Sequence, residues 1–356
     1  MKKKWVLPML VLLLASLACR AAEQLIFGSP SSSPTVTALA SPRPSAAATL
    51  PSTVTPQASF EETCPNGDCI EGCLNNLGLE LVNESEYSHR DPDFQGKSGQ
   101  VLVNYPIQGE QLGQAEMMSV YPRFKSYQDD SPLHQRIWDY YRSIIPANQR
   151  LTLTDFIIFT DGKSNILAYV AQSEAVPANW VLSVDVVDAE TPQDLTYTLV
   201  HEFAHLLTLG PSQVTPSQAI FDNPNDDEIW QAEYEACQAY FPGEGCSNKG
   251  AYIDAFFTDF WDELFEEWLI INDEPDEERY FELLDEFYAL YQDRFVTDYA
   301  VTNPEEDIAE SFTYFVLTSQ PEADKISDEK ILFFYQYPEL VTLRMEIIKG
   351  VCGYHK

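Results

Sequence analysis

Of the five histidines in 356 residues, two stand four apart, His201 and His205, with Glu202 directly after the first. Residues i and i+4 share one face of a helix, so two imidazoles at that spacing can hold one divalent ion, and a glutamate beside the first can reach a water on that ion. The chemistry this points to is hydrolysis, with a Zn2+ ion lowering the pKa of a water and Glu202 taking its proton. The flanking residues predict the helix that must carry the trio. Thr191-Pro192-Gln193-Asp194 offers a cap, a proline at the first helical position and an acid at the third, and Gly210-Pro211 offers a stop. Leu195, Leu199, Val200, Phe203, Leu206 and Leu207 make the helix apolar on most sides, which predicts burial. The bland alternative is a pair of core histidines satisfied by ordinary hydrogen bonds.

A catalytic zinc takes three protein ligands and leaves one position open. Thr208 and Pro211 occupy the positions where the metzincin pattern has a glycine and a third histidine, and His89, His134 and His355 stand in no recognised relation to the motif. An acid from a later helix is the natural candidate. In the segment from Tyr299 to Thr318, Glu306, Glu310, Thr313 and Leu317 form one helical stripe beside the apolar side of Ile308, Phe312, Phe315 and Val316. Asp307, Ser311, Tyr314 and Thr318 are expected to point away. Either inward acid, Glu306 or Glu310, could complete the site.

His201-Glu202-Phe203-Ala204-His205 is the His-Glu-x-x-His signature of zincin metallopeptidases, and its pairing with a later acidic helix resembles the gluzincins. Tyr299, Asn303 and the run Glu306-Asp307-Ile308-Ala309-Glu310-Ser311-Phe312 resemble, in order and spacing, the protease domain of anthrax lethal factor and a family of zinc-binding metallopeptidases. The resemblance implies Glu306 as third ligand, Glu310 as a supporting acid beside the ligands, and Tyr299 as hydrogen-bond donor to the transition state. It departs in a longer stretch between His205 and Glu306, so it implies nothing about substrate preference.

Strands are expected between about residues 79 and 188, with one helix inserted. Ser131-Pro132 opens that helix with a cap and a first-turn proline, and Leu133, Ile137, Tyr141 and Ile144 share a face. Phe156-Ile157-Ile158-Phe159 and Ile166-Leu167-Ala168-Tyr169-Val170, around Asp161-Gly162, predict a hairpin. In the next strand, Trp180 to Val187, Trp180, Leu182, Val184 and Val186 share one face and Ser183 and Asp185 the other. That strand could bind substrate backbone by strand addition, or serve as a core strand. Helices are expected over Ala251 to Ile271, Asp276 to Phe295, Pro304 to Thr318 and Glu329 to Lys349, the stretch 211–298 being long and acidic. Strands followed by helices predict an α+β fold of zincin-like type: a small N-terminal sheet, an active-site helix and a mostly helical C-terminal part.

A net charge of -35 argues against nucleic acid or an anionic lipid surface as the main partner and suits a polypeptide substrate of neutral or cationic character, or simply an adaptation to solubility and ionic environment. Met1-Lys2-Lys3-Lys4 and the apolar run from Trp5 to Ala18 form an export signal, and Leu17-Ala18-Cys19 resembles a bacterial lipoprotein cleavage site, with Cys19 carrying the lipid. A plain secretion signal or an uncleaved anchor is the alternative. Residues 20–60, rich in Ser, Thr, Pro and Ala, read as a disordered tether, leaving 61–356 as the metallopeptidase domain. Outside the cytoplasm the remaining six cysteines suggest disulfides. Cys237 and Cys246 flank the turn Pro242-Gly243-Glu244-Gly245 and are expected to pair, while Cys64, Cys69 and Cys73 could alternatively form a zinc knuckle. The expectation is thus an extracytoplasmic, lipid-anchored zinc peptidase. The alternatives are a catalytically silent surface-anchored binding protein on the same fold and, more remotely, a glycosidase built on paired carboxylates.

Overall fold

The computed structural model describes residues 99–163 and 166–354. The expectations for the export signal, Cys19, the tether, Cys64, Cys69, Cys73, His89 and His355 lie outside the described residues.

Four strands build the main sheet: β1 (Gln100–Gln108), β2 (Leu153–Thr160), β3 (Ala168–Gln172) and β4 (Trp180–Asp185). Their spatial order is β1-β2-β4-β3, with two-residue strands at Gln111–Leu112 and Glu116–Met117 pairing with β1. β1 runs antiparallel to β2 with Asn104 opposite Ile157, β2 parallel to β4 with Ile158 opposite Val184, and β4 antiparallel to β3 with Leu182 opposite Val170. The predicted hairpin between the second and third strands therefore does not form, because β4 is inserted between them. The composition of β4 accounts for this: Trp180, Leu182 and Val184 are buried on one face and Ser183 and Asp185 on the other, as suits an interior strand covered on both sides. An interior strand has no free edge, so the idea that Trp180 to Val187 adds a substrate strand is corrected. β3 is the terminal strand at the other end of that order.

Helix α1 (Ser131–Ile144) lies against the sheet, with the Trp138 ring 5.5 Å from that of Phe156. Leu133, Ile137, Tyr141 and Ile144 are buried as expected. Its cap is Asp130, whose Oδ1 accepts from the Leu133 N–H at 3.1 Å, rather than Ser131, which is already helical. Then come α2 (Thr196–Leu209), α3 (Asp227–Ala236), α4 (Tyr252–Phe260), α5 (Phe265–Asn272), α6 (Glu277–Tyr291), α7 (Pro304–Leu317), α8 (Ile326–Phe334) and α9 (Pro338–Tyr354). Two helices expected as single are broken. Ala251 to Ile271 divides at Trp261 to Leu264, where the turn buries both Trp261 and Leu264. Glu329 to Lys349 divides because Pro338 can open a helix but not continue one. The architecture is mixed α+β, and no helix among the described residues is long and apolar enough to cross a membrane.

Between α2 and α4 the acidic stretch is not wholly helical. Val214–Pro216 pairs antiparallel with Gly245–Ser247, and a Cβ on Gly245 would collide with the Thr215 carbonyl. Cys237 and Cys246 are disulfide-bonded with their Cα atoms 5.4 Å apart, as their turn predicts. Cys352 is disulfide-bonded as well.

Helix α7 is the centre of the helical part, packed by α2, α4, α8 and α9. Asp307 and Ser311, expected to point away, are fully buried. Asp307 Oδ2 accepts from the Trp261 indole N–H at 2.7 Å and faces the Lys330 ammonium at 2.5 Å, whose charge also lies 4.2 Å from the Phe295 ring centre. Helical periodicity cannot reveal a polar face that neighbouring helices cover with matching charge. Removing one partner of a buried ion pair leaves the other uncompensated, so Lys330→Met is expected to destabilise the fold by about 3–5 kcal/mol, read from urea denaturation. A loss below about 1 kcal/mol, the range of exposed pairs, would show that the pair is not buried as described.

Candidate metal centre

The first turn leading into α2 is a tight 3-10 helix, Pro192–Leu195. Thr191 precedes it without capping a backbone N–H, its hydroxyl going instead to the Asp194 carboxylate, so the expected cap is replaced by a side-chain pair. From there the helix runs to Gly210, where a Cβ would approach the Leu206 carbonyl oxygen to 2.5 Å. His201, Glu202 and His205 are all buried in α2.

The facing side comes from α7. Asn303 caps it, its Oδ1 accepting from the Glu306 N–H at 2.8 Å, and Pro304 fills the first helical position. Glu306 Oε2 then sits 2.9 Å from His201 Nε2 and 3.5 Å from His205 Nε2, and the two ring nitrogens are 3.1 Å apart. Ligand atoms about 2.1 Å from a tetrahedral ion lie roughly 3.4 Å from one another, which these separations bracket. Glu306 Oε2 is buried and lacks hydrogen-bond geometry with either ring, and His205 Nδ1 is buried without a hydrogen bond too. Three donor atoms that crowd one point, with the Glu306 oxygen left without a hydrogen bond, fit a cation, and His201, His205 and Glu306 could bind a metal ion here.

The local charges agree. Burial pulls His201 towards neutrality, but the carboxylates of Glu306 and Glu310 outweigh it and raise its pKa well above the usual value. Burial pushes the Glu306 carboxyl up, and His205 and His201 overcome that, holding it at about 2. The centre favours positive charge, whether a proton or an ion in its place.

Glu310 stands outside this group of three. Its Oε1 accepts from His201 Nδ1 at 2.7 Å, and its Oε2 accepts from the Tyr197 hydroxyl at 2.5 Å and the Thr297 hydroxyl at 2.7 Å. This fixes the His201 tautomer with Nε2 turned to the centre. Glu202 lies beside the ligands, its Oε2 accepting from the Val170 N–H at 2.9 Å, and burial raises its pKa to about 7. Tyr299, in the short turn Tyr299–Val301, brings its ring within 6.0 Å of the His201 ring. All six residues singled out from the sequence, His201, Glu202, His205, Tyr299, Glu306 and Glu310, therefore gather at one place. His134 does not join them: buried under the sheet, it accepts from the Tyr105 hydroxyl at 2.8 Å and donates to the Tyr127 carbonyl at 2.9 Å.

Three contributors were missed. Tyr197 could have been found, since it stands one turn before His201 on the same helix face. Thr297 and the Val170 amide carry no local signal, because both reach the site only through tertiary packing.

Glu306→Ala is expected to abolish stoichiometric metal uptake, whereas Glu310→Gln should weaken it about 10- to 100-fold, as for a residue that orients a ligand. Equilibrium dialysis with metal analysis reads both. Full uptake by Glu306→Ala with loss in Glu310→Gln would exchange the two assignments.

Compared with known proteins, the chain matches no protein-family model, no curated protein sequence and no solved structure, so what the centre does must follow from its own geometry.

Proposed function

We propose that the protein is a zinc-dependent peptidase of gluzincin type, acting outside the cytoplasm on polypeptide substrates and anchored through Cys19. The observation that supports it most is the position of Glu202: a buried carboxylate with a pKa near neutrality, beside three converging ligand atoms. Two imidazoles and one carboxylate suit Zn2+. The same set also suits iron(II), but a proton acceptor held next to the ligands favours hydrolysis over oxygen chemistry.

A zinc ion bound here would supply a Lewis acid that makes a water acidic at neutral pH and polarises a carbonyl oxygen. Glu202 takes the proton from the attacking water and delivers it to the leaving amine. Tyr299 donates a hydrogen bond from its phenolic hydroxyl to the oxyanion as charge develops on it. Glu310, with Tyr197 and Thr297 behind it, keeps His201 from rotating.

The edge of β3 supports a peptide substrate. The Leu167 carbonyl accepts from the Asp185 N–H, and the Ser173 N–H donates to the Asn179 carbonyl, so odd-numbered residues here bond inward to the sheet. The backbone groups of Ala168, Val170 and Gln172 consequently face outward, and Val170 already meets Glu202 there. An extended chain adding to that edge would lie alongside the centre. The Cys237–Cys246 disulfide suits an exported protein.

Incubation with a mixed peptide library is expected to give cleavage that a chelator stops and zinc restores. Glu202→Gln should keep its ion and lose about 100- to 10,000-fold in turnover. Tyr299→Phe should also keep its ion and lose about 100- to 1,000-fold in kcat. A zinc-loaded wild-type protein that cleaves nothing in the library would favour the silent binding protein instead.

A further inference from the structure

The chain leaves the metal centre after α2 and returns with Thr297, Tyr299 and α7, and the stretch between carries the disulfide-closed loop from Cys237 to Cys246. That loop sends Tyr240 into the interior, where it is 8% exposed. Its backbone is pinned on both sides: the N–H donates to Asp254 Oδ1 at 2.9 Å, and the carbonyl accepts from the Ser247 N–H at 2.9 Å. Its ring stacks on Phe257 at 4.2 Å and meets Phe265 edge-on at 6.1 Å. So fixed, the Tyr240 hydroxyl donates to Glu305 Oε1 at 2.7 Å.

Glu305 is 2% exposed and stands in the first turn of α7, directly before the ligand Glu306. A buried carboxyl that loses its partner must be desolvated at a cost or swing toward water, and either would disturb the turn it stands on. Glu306 is sensitive to such a disturbance, because its Oε2 makes no hydrogen bond and its contacts at 2.9 and 3.5 Å are with the two histidines that would share the ion. Its direction is set by the backbone of that turn, held by the Asn303 cap on one side and by Glu305 on the other.

We propose that the loop closed by Cys237 and Cys246 is a clamp on the metal centre. Tyr240 is a positioning residue that, through Glu305, holds the turn bearing Glu306, so that affinity for the ion depends on the intact disulfide. This rests on the reading that His201, His205 and Glu306 bind zinc.

The test is the zinc dissociation constant, measured by competition with a chromophoric chelator, alongside the thermal stability of the metal-free proteins. Tyr240→Phe and the double variant Cys237→Ser/Cys246→Ser are each expected to bind zinc about tenfold more weakly or worse. Tyr105→Phe, which removes a comparable buried hydrogen bond to His134 far from the centre, should bind as wild type. Glu305→Gln keeps an acceptor for the hydroxyl and should retain affinity. In a Glu305→Leu background, Tyr240→Phe should add no further loss, the coupling expected if both act through one bond. Wild-type affinity in Tyr240→Phe would overturn the clamp while leaving the zinc reading intact. Weakened binding in Tyr240→Phe but not in the double cysteine variant would overturn its dependence on the disulfide. A wild-type protein that binds no zinc would overturn the reading of the centre itself, and the clamp with it.

Discussion

A carboxylate buried between two apolar helices must find donors there or destabilise the protein, and Glu310 meets that constraint with three hydrogen bonds, from His201, Tyr197 and Thr297. Two of these donors lie on α2 and one in the approach to α7, so the same bonds that satisfy the charge set the register of the two helices. Phe203 of α2 meets Phe312 of α7 at 6.1 Å in that register. His201 can then present only Nε2 to Glu306, and His205, one turn on, arrives at the same point. The convergence of the three candidate ligands is a consequence of how a buried acid is satisfied.

The same logic extends along α7. Glu305, Glu306, Asp307 and Glu310 are all buried in one helix of a strongly acidic protein. Each is compensated from a different direction: Glu305 by Tyr240, Glu306 by the two histidines, Asp307 by Lys330 and Trp261, and Glu310 by its three donors. Three of the acids fall in the first turn, where the helix dipole favours negative charge. The rest of the compensation must come from tertiary structure. The two-stranded loop, the break between α4 and α5 and the placing of α8 each bring one partner to this helix.

What was legible in the sequence follows from the range of the interactions. The pairing of His201 and His205 is local, since helical spacing alone puts them on one face, and the flanking Pro192 and Gly210 mark the helix. The cysteine pair is nearly local, joined across one turn. The choice of Glu306 over Glu310 was not legible from periodicity, which puts both on one stripe, and rested on resemblance; the geometry separates them by their partners. Strand order is not legible because adjacency in sequence favours a hairpin, whereas the buried Ser183 and Asp185 of β4 mark an interior strand only once its neighbours are known. The buried side of α7 is hidden for the same reason: Asp307 looks solvated until Lys330 and Trp261 are placed beside it.

The central claim is that two imidazoles from α2 and one carboxylate from α7 hold a single ion. X-ray absorption spectroscopy of the protein loaded with one equivalent of zinc tests it most directly. A first shell of four nitrogen and oxygen scatterers at about 2.0–2.1 Å, with the outer-shell signature of two imidazoles that falls to one in His205→Ala, is the predicted result. Sulfur scatterers at about 2.3 Å, or zinc that fails to bind in stoichiometric amount, would contradict it.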